Sequence, residues 1–176
     1  MPIVMDADRI ARTLTRIAHE ILERNRVLDE LAFVGIRSRG FPLARRLARI
    51  IHEINGHDVP TGALDVTLYR DDLMRKSVGT QPVIQSTEIA FSIDDKHILL
   101  VDDVLYTGRT IRSALDALVE FGRPRSIQLV VLVDRGHREL PIKADYVGKN
   151  LPTSPTQSVQ VYLAEIDGRD EVEIRE

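Results

Sequence analysis

The sequence predicts an open α/β fold, a mostly parallel sheet flanked by helices, and three observations carry that reading. Short, largely apolar runs recur at residues 31–36, 98–101 and 127–133, the one at 98–101 continuous, as strands buried on both faces require. Segments with apolar residues three and four apart lie among them, the period of one helix face. The two patterns alternate along the chain, which is the signature of β–α–β units.

Each element follows in order. Asp6 or Asp8 can cap a first helix running to about Asn25, with Ile10, Leu14, Ile17, Ile21 and Leu22 as its buried stripe. Residues 31–36 read as a strand, and Arg37-Ser38-Arg39-Gly40 is the loop after it. Pro42 starts a second helix that carries Leu43, Leu47, Ile50, Ile51 and Ile54, and Gly56 ends it. Residues 59–69 contain an alternating stretch with Leu64, Val66 and Leu68 on one side. From about 70 to 92 the pattern dissolves into Asp, Lys, Gly, Gln, Thr and Ser. So long a polar stretch inside a compact domain is uncommon, and a mobile lid is expected, with a solvated β-excursion as the alternative. After the strand at 98–101, Ile111, Ala114, Leu115, Leu118 and Val119 form a helical stripe that stops at Phe121-Gly122, with Pro124 beyond. A strand at 127–133 follows, and short strands are expected within about 158–175. Residues 1–176 are read as one domain, long enough to bury a substantial core.

Composition narrows the class. There is no cysteine, so neither a disulfide framework nor cysteine-ligated zinc is possible. No signal-like or membrane-spanning apolar segment appears, and a soluble cytoplasmic protein without a membrane partner is expected. The net charge of -3 is unevenly spread. Residues 9–49 hold ten Lys or Arg against four acids, whereas residues 165–176 hold six acids against two arginines. Such segregation permits an anion-binding face.

The most informative segment is residues 98–110, where an apolar strand runs into Asp102 and Asp103 and then a Thr107-Gly108-Arg109-Thr110 turn opens a helix. The first amides of a helix lack partners and carry partial positive charge, so this turn can cradle a phosphate monoester. Thr107 and Thr110 add hydroxyl donors. The two carboxylates suit the vicinal hydroxyls of a ribose or a magnesium ion. A helix cap and turn would account for either feature alone, but not as readily for both. A P-loop enzyme would also place acids at a strand end, but no G-x-x-x-x-G-K-[ST] loop is present, and the dinucleotide G-x-G-x-x-G fingerprint is missing as well.

Ligands of open α/β sheets sit outside the carboxyl ends of the strands. Three such ends are polar here: Arg37-Ser38-Arg39-Gly40, Asp102-Asp103, and Asp134-Arg135-Gly136-His137-Arg138. Arg39 and the amides around Ser38 and Gly40 suit a pyrophosphate leaving group, since charge-assisted bonds and exposed amides both favour anions.

Four apolar residues, Asp-Asp, three residues and Thr-Gly-x-Thr resemble the phosphoribosyl-pyrophosphate (PRPP) motif of type I phosphoribosyltransferases. With Ala11 to Glu20, Asp65 to Leu73, Val133 to Ile142, Ala144 to Asn150 and Pro152-Thr153-Ser154, nearly the whole chain resembles one bacterial family, the bifunctional pyrimidine-operon attenuators and uracil phosphoribosyltransferases. The PRPP motif specifies only the superfamily; the Tyr-Arg-Asp-Asp-Leu and Arg-Gly-His-Arg-Glu-Leu-Pro-Ile runs are more selective. The resemblance implies a type I phosphoribosyltransferase-like sheet with a mobile lid loop and a small hood. It implies conversion of uracil and PRPP, used with Mg2+, into UMP and pyrophosphate. It further implies binding of pyrimidine-operon leader mRNA promoted by uridine nucleotides such as UMP and UTP, and a homodimer or higher homo-oligomer.

Carried onto this chain, Asp102, Asp103 and Arg39 are the expected catalytic residues. Thr107, Gly108, Arg109 and Thr110 would hold the 5′-phosphate, Asp102 and Asp103 the ribose hydroxyls, and Ser38, Arg39 and Gly40 the pyrophosphate, with Val104, Leu105 and Tyr106 also expected to line the substrate site. Arg70 and the lid behind it would close over PRPP. Base recognition is expected near Val133, Asp134, Arg135 and Arg138, partly through backbone groups. No direct protein ligand to the metal is assigned beyond Asp102 and Asp103. Arg12, Thr15, Arg16 and His19 share one polar face of the first helix, and a basic stripe of this kind can contact phosphates, although a solvated face is the default. Arg138, Lys143 and Lys149 are expected to extend it toward RNA. Two alternatives stay open: a transferase for another nucleobase without RNA regulation, and an RNA-binding regulator with only residual catalysis.

Overall fold

Asp6 begins the first helix as its position predicts: its carboxylate accepts the Arg9 amide at 2.8 Å, and α1 (Ala7–Arg24) follows. The structure, a computed structural model, describes residues 2–67 and 87–176. Helix α1 buries Ile10, Leu14, Ile17, Ala18 and Ile21, with Leu22 at the margin. The fully buried strand β2 (Leu31–Ile36) lies within a parallel sheet with β3 (Thr61–Leu64), β4 (His97–Leu105), β5 (Ser126–Asp134) and β6 (Tyr146–Asn150). The spatial order is β3-β2-β4-β5-β6.

Strand alternation divides the core in two. Leu31 and Phe33 of β2, Leu99 and Val101 of β4, and Val130 and Leu132 of β5 pack with α1 and with α2 (Gly40–Asn55). Their neighbours Ala32, Val34, Ile98, Leu100, Leu129 and Val131 pack with Ile111, Ala114, Ala117 and Leu118 of α3 (Arg109–Leu118) on the opposite face. Each large side chain so buried contributes about 1.5–3 kcal/mol against exposure, which is why both strand faces are apolar. A second, antiparallel sheet of β1 (Ile3–Met5), β8 (Glu171–Arg175) and β7 (Ser158–Tyr162), in the order β1-β8-β7, forms the hood. Met5, Val159, Val161 and Val172 tie it to the α1–α2 side of the core. The short helix α4 (Ala164–Asp167) links β7 to β8.

The sheet order positions the site. From β2 the chain passes through α2 to β3 on one side; it then returns to β4 on the other side of β2 and continues outward to β5 and β6. The order reverses between β2 and β4, and ligands of such sheets bind at that reversal.

Several sequence expectations need correction. The central strand runs to Leu105, so it carries Asp102 and Asp103 instead of ending before them. Strands β1 and β6 lack the long apolar runs that mark a strand and were not anticipated. Strand β3 ends at Leu64, although Val66 is still buried. Val119 and Ile54 were expected in buried stripes and are exposed near the ends of their helices. Most of the expected lid, with Arg70, Leu68 and Tyr69, lies outside the described residues; its far end, 87–92, belongs to the packed domain. There Glu88 forms an antiparallel bridge with Ala63, and Ile89 and Phe91 pack on the α3-side core. Among the described residues no helix is long and apolar enough to cross a membrane.

Candidate active site

Two glycines bring the loop after β2 against the end of β4. A Cβ on Gly35 would lie 2.4 Å from Phe41 Cα and 2.5 Å from the Gly40 carbonyl oxygen, so the start of α2 folds directly back on β2. A Cβ on Gly40 would lie 2.2 Å from the Val101 carbonyl oxygen and 3.2 Å from Asp102 Cα. Only hydrogen fits at either place. Ser38 and Arg39, on a loop whose Arg37–Ser38 peptide is cis, are thereby held beside the acidic end of β4.

At that end Asp102 is buried while Asp103 is half-buried. Each carboxylate accepts the next residue's amide: Asp103 N–H to Asp102 at 2.9 Å, Val104 N–H to Asp103 at 2.8 Å. Beyond Tyr106 the chain turns sharply. Thr107 Oγ1 accepts the Arg109 amide at 3.2 Å, and Gly108, at φ 92°, is the N-cap of α3. That left-handed conformation favours glycine, and a Cβ there would also sit 3.0 Å from Ile142. Gly108 has no side chain to cap the helix, so the positive end of α3 is bounded by this turn, with the Thr107 hydroxyl beside it.

The third strand end supports the cradle from behind. The Arg135 amide donates to the Leu105 carbonyl at 3.1 Å, and the Glu139 and Leu140 amides both donate to the Thr107 carbonyl. Arg135 is buried, its guanidinium 3.9 Å from the centroid of the Tyr106 ring and bonded to Thr153 Oγ1 and the Ser154 and Gln157 carbonyls. His137 meets the same ring edge-on at 6.0 Å and bonds the Thr153 carbonyl. Arg138 donates to the carbonyls of Tyr106 and Ile142 and to Asp134, while Arg109 pairs with Glu139 at 2.7 Å. Arg135 and Arg138 therefore brace the two loops with these donors. Leu105 and Val133 are buried side chains within the paired strands β4 and β5. The sequence does not single out Thr153 and Gln157 as partners of this loop: Thr153 lies in a segment that carries the family resemblance without a role assigned to it, and Gln157 lies in no motif.

Arg39 makes a bidentate pair with Asp167 in the hood, Nη2 to Oδ1 at 2.8 Å and Nε to Oδ2 at 3.2 Å. Burial pushes the Asp167 carboxyl up, but the Arg39 bonds and the Leu163 amide at 2.8 Å outweigh it and hold it below its usual range. Seven residues along α2, and so on the same helix face, Arg46 pairs with both Glu165 and Asp170.

The expected RNA-binding residues divide. Arg12, Thr15, Arg16 and His19 are exposed on α1. Arg16 pairs with Glu20 at 2.5 Å and donates to the Gly148 carbonyl of the edge strand β6 at 2.7 Å. Gly148 itself faces α1, where a Cβ would meet Thr13 at 2.8 Å, so alternation turns Lys149 to the α3 face. Lys149 therefore lies off the face of the α1 stripe. Lys143 is exposed in the segment before β6.

Comparison with known proteins bears on this arrangement. Residues 4–166 match the phosphoribosyl transferase domain family. The chain is 60% identical over 173 residues to a "Bifunctional protein PyrR" from Pelotomaculum thermopropionicum, covering 98% of this chain and 94% of that one. It is 58% identical over 171 residues to another of that name from Deinococcus deserti, covering 97% and 92%. Among solved structures, hypoxanthine phosphoribosyltransferase of Trypanosoma cruzi is similar in fold, with a TM-score of 0.73 at 20% identity over 99% of this chain and 95% of that one.

Proposed function

The chain belongs to the bifunctional PyrR family of phosphoribosyltransferases, and we propose that the crevice between the ends of β2 and β4 is where it works. It is a uracil phosphoribosyltransferase, forming UMP and pyrophosphate from uracil and PRPP, and a regulator of pyrimidine biosynthesis. One observation carries the siting: the contact of Gly40 with the Val101 carbonyl, which sets a loop suited to pyrophosphate against the acids suited to ribose.

Breaking the bond from the anomeric carbon to pyrophosphate builds positive charge on the sugar and negative charge on the leaving group, so the protein gains most by holding both electrostatically. Thr107, Gly108, Arg109 and Thr110 grip the 5′-phosphate at the start of α3. Asp102 and Asp103 take the ribose hydroxyls and stand near the developing cation. Ser38, Arg39 and the Gly40 amide receive the pyrophosphate. Magnesium bound with PRPP would neutralise the leaving group, and two adjacent carboxylates are fitting oxygen donors to share it. Uracil lies near Val133 and Asp134, read partly by backbone groups, with Tyr106 braced at the edge by Arg135.

The regulatory activity is assigned to leader mRNA of pyrimidine operons, bound when UMP or UTP occupies the same cradle. The exposed α1 stripe of Arg12, Thr15, Arg16 and His19 is its contact. A homodimer or higher assembly in the cytoplasm fits this role, since a shared basic surface enlarges the electrostatic footprint. Asp102→Asn with Asp103→Asn is expected to abolish UMP formation while the protein still melts cooperatively. Near-normal turnover in that variant would contradict the siting.

A further inference from the structure

We infer that Asp167, at the end of the hood helix α4, is a positioning residue for pyrophosphate: it orients the Arg39 guanidinium so that its remaining donors face the leaving group. The inference rests on the placing of pyrophosphate at Arg39.

A guanidinium offers five N–H donors in a fixed planar fork. Asp167 engages the Nε and one Nη2 position, so the plane and direction of the fork are set, and the Nη1 edge remains on the other side. The carboxylate is itself anchored, because Oδ2 also accepts the Leu163 amide and α4 closes at Gly168 in the left-handed conformation. Neither partner is loose: the Arg39 side chain is 32% exposed and that of Asp167 16%. Arg39 caps the start of α2, whose next residue is pressed on the Val101 carbonyl, so its backbone is fixed from the sheet side and its side chain from the hood side. A flexible arginine beside a polyanion can adopt many rotamers, and fixing one before the ligand arrives removes that cost from binding.

Arg46 supplies the internal control. Its bonds to Glu165 and Asp170 hold the same hood to the same helix face without touching Arg39. A role confined to docking the hood would make Asp170 and Asp167 equivalent. Orientation of Arg39 makes Asp167 distinct.

The test is steady-state kinetics on Asp167→Asn, Asp167→Glu, Asp170→Asn and Arg39→Ala, with PRPP and uracil varied separately and pyrophosphate as product inhibitor. Asp167→Asn is expected to lower kcat/KM for PRPP about tenfold, within the roughly 10²-fold that a 1 Å misplacement can cost. Pyrophosphate inhibition should weaken in parallel and the KM for uracil stay within twofold. Asp167→Glu, which keeps the charge, should recover part of the loss, and Asp170→Asn should leave both PRPP parameters unchanged. Equal effects from Asp170→Asn and Asp167→Asn, or tighter PRPP and pyrophosphate binding in Asp167→Asn, would overturn the inference. So would unchanged kinetics in Asp167→Asn beside a damaged Arg39→Ala enzyme, which would leave the pyrophosphate site standing. An Arg39→Ala enzyme with normal PRPP and pyrophosphate constants would overturn the site and the inference together.

Discussion

Replacing Gly40 with alanine perturbs the joint on which the proposed site depends. The added methyl would begin 2.2 Å from the Val101 carbonyl oxygen, whereas ordinary contact starts at 3.4 Å, so helix and strand must part by the difference, 3.4 − 2.2 = 1.2 Å. Both obstructing groups are backbone, and no rotamer change relieves them. Overpacking of this kind costs about 2–3 kcal/mol. For a chain of this length that lowers Tm by roughly 4–12 °C. The same displacement moves Ser38 and Arg39 away from Asp102, and a shift of about 1 Å costs up to roughly 10²-fold in rate, or about 2.7 kcal/mol. Calorimetry and initial rates at varied PRPP measure both consequences. Gly56→Ala is the comparison, because its Cβ meets nothing within 4 Å and only the φ of 74° is strained. It should cost about 1–2 kcal/mol and leave kcat/KM unchanged. Gly40→Ala with kcat/KM for PRPP within twofold of the parent would refute the claim that this contact aligns the two loops.

Acid should loosen the hood. Bonds from Arg46 hold Glu165 and Asp170 below the usual carboxylate range, and Arg39 does so for Asp167 against the opposing effect of burial. Depressed carboxylates stabilise the fold above their unfolded pKa of about 4 and lose that contribution as pH falls through the lower folded values. Tm should therefore drop steeply below about pH 4; an Arg46→Gln variant should show a shallower drop, and an identical profile would count against the account. On the regulatory side, Arg16→Ala with His19→Ala should weaken leader-RNA binding without changing turnover. Each lost phosphate contact lowers the salt slope by roughly 1. A gel-shift titration giving unchanged affinity would remove α1 from the interface.

The elements that position the site were legible because they are locally encoded. Asp6 announces α1, the apolar runs within β2, β4 and β5 announce a buried parallel sheet, and Thr-Gly-x-Thr announces a turn into a helix. Strand β6 was hidden because an edge strand needs only half an apolar face, and its Gly148 serves close approach to Thr13. Strand β1 has three residues and exists only through β8, at the far end of the chain. The pairing of Arg39 with Asp167 spans 128 residues and has no local signal. Charge segregation was visible, with arginines early and acids late, and suggested an anion-binding face. In the folded chain three of the late acids, Glu165, Asp167 and Asp170, engage Arg39 and Arg46, and the segregation partly reflects hood docking.

The central claim, phosphoribosyl transfer to uracil at the β2–β4 crevice, is tested most directly by offering the purified protein PRPP with uracil, hypoxanthine, guanine or orotate and measuring the nucleotide formed. UMP is expected from uracil, with little product from the other three. Preferential formation of a purine nucleotide or of orotidine monophosphate would contradict it.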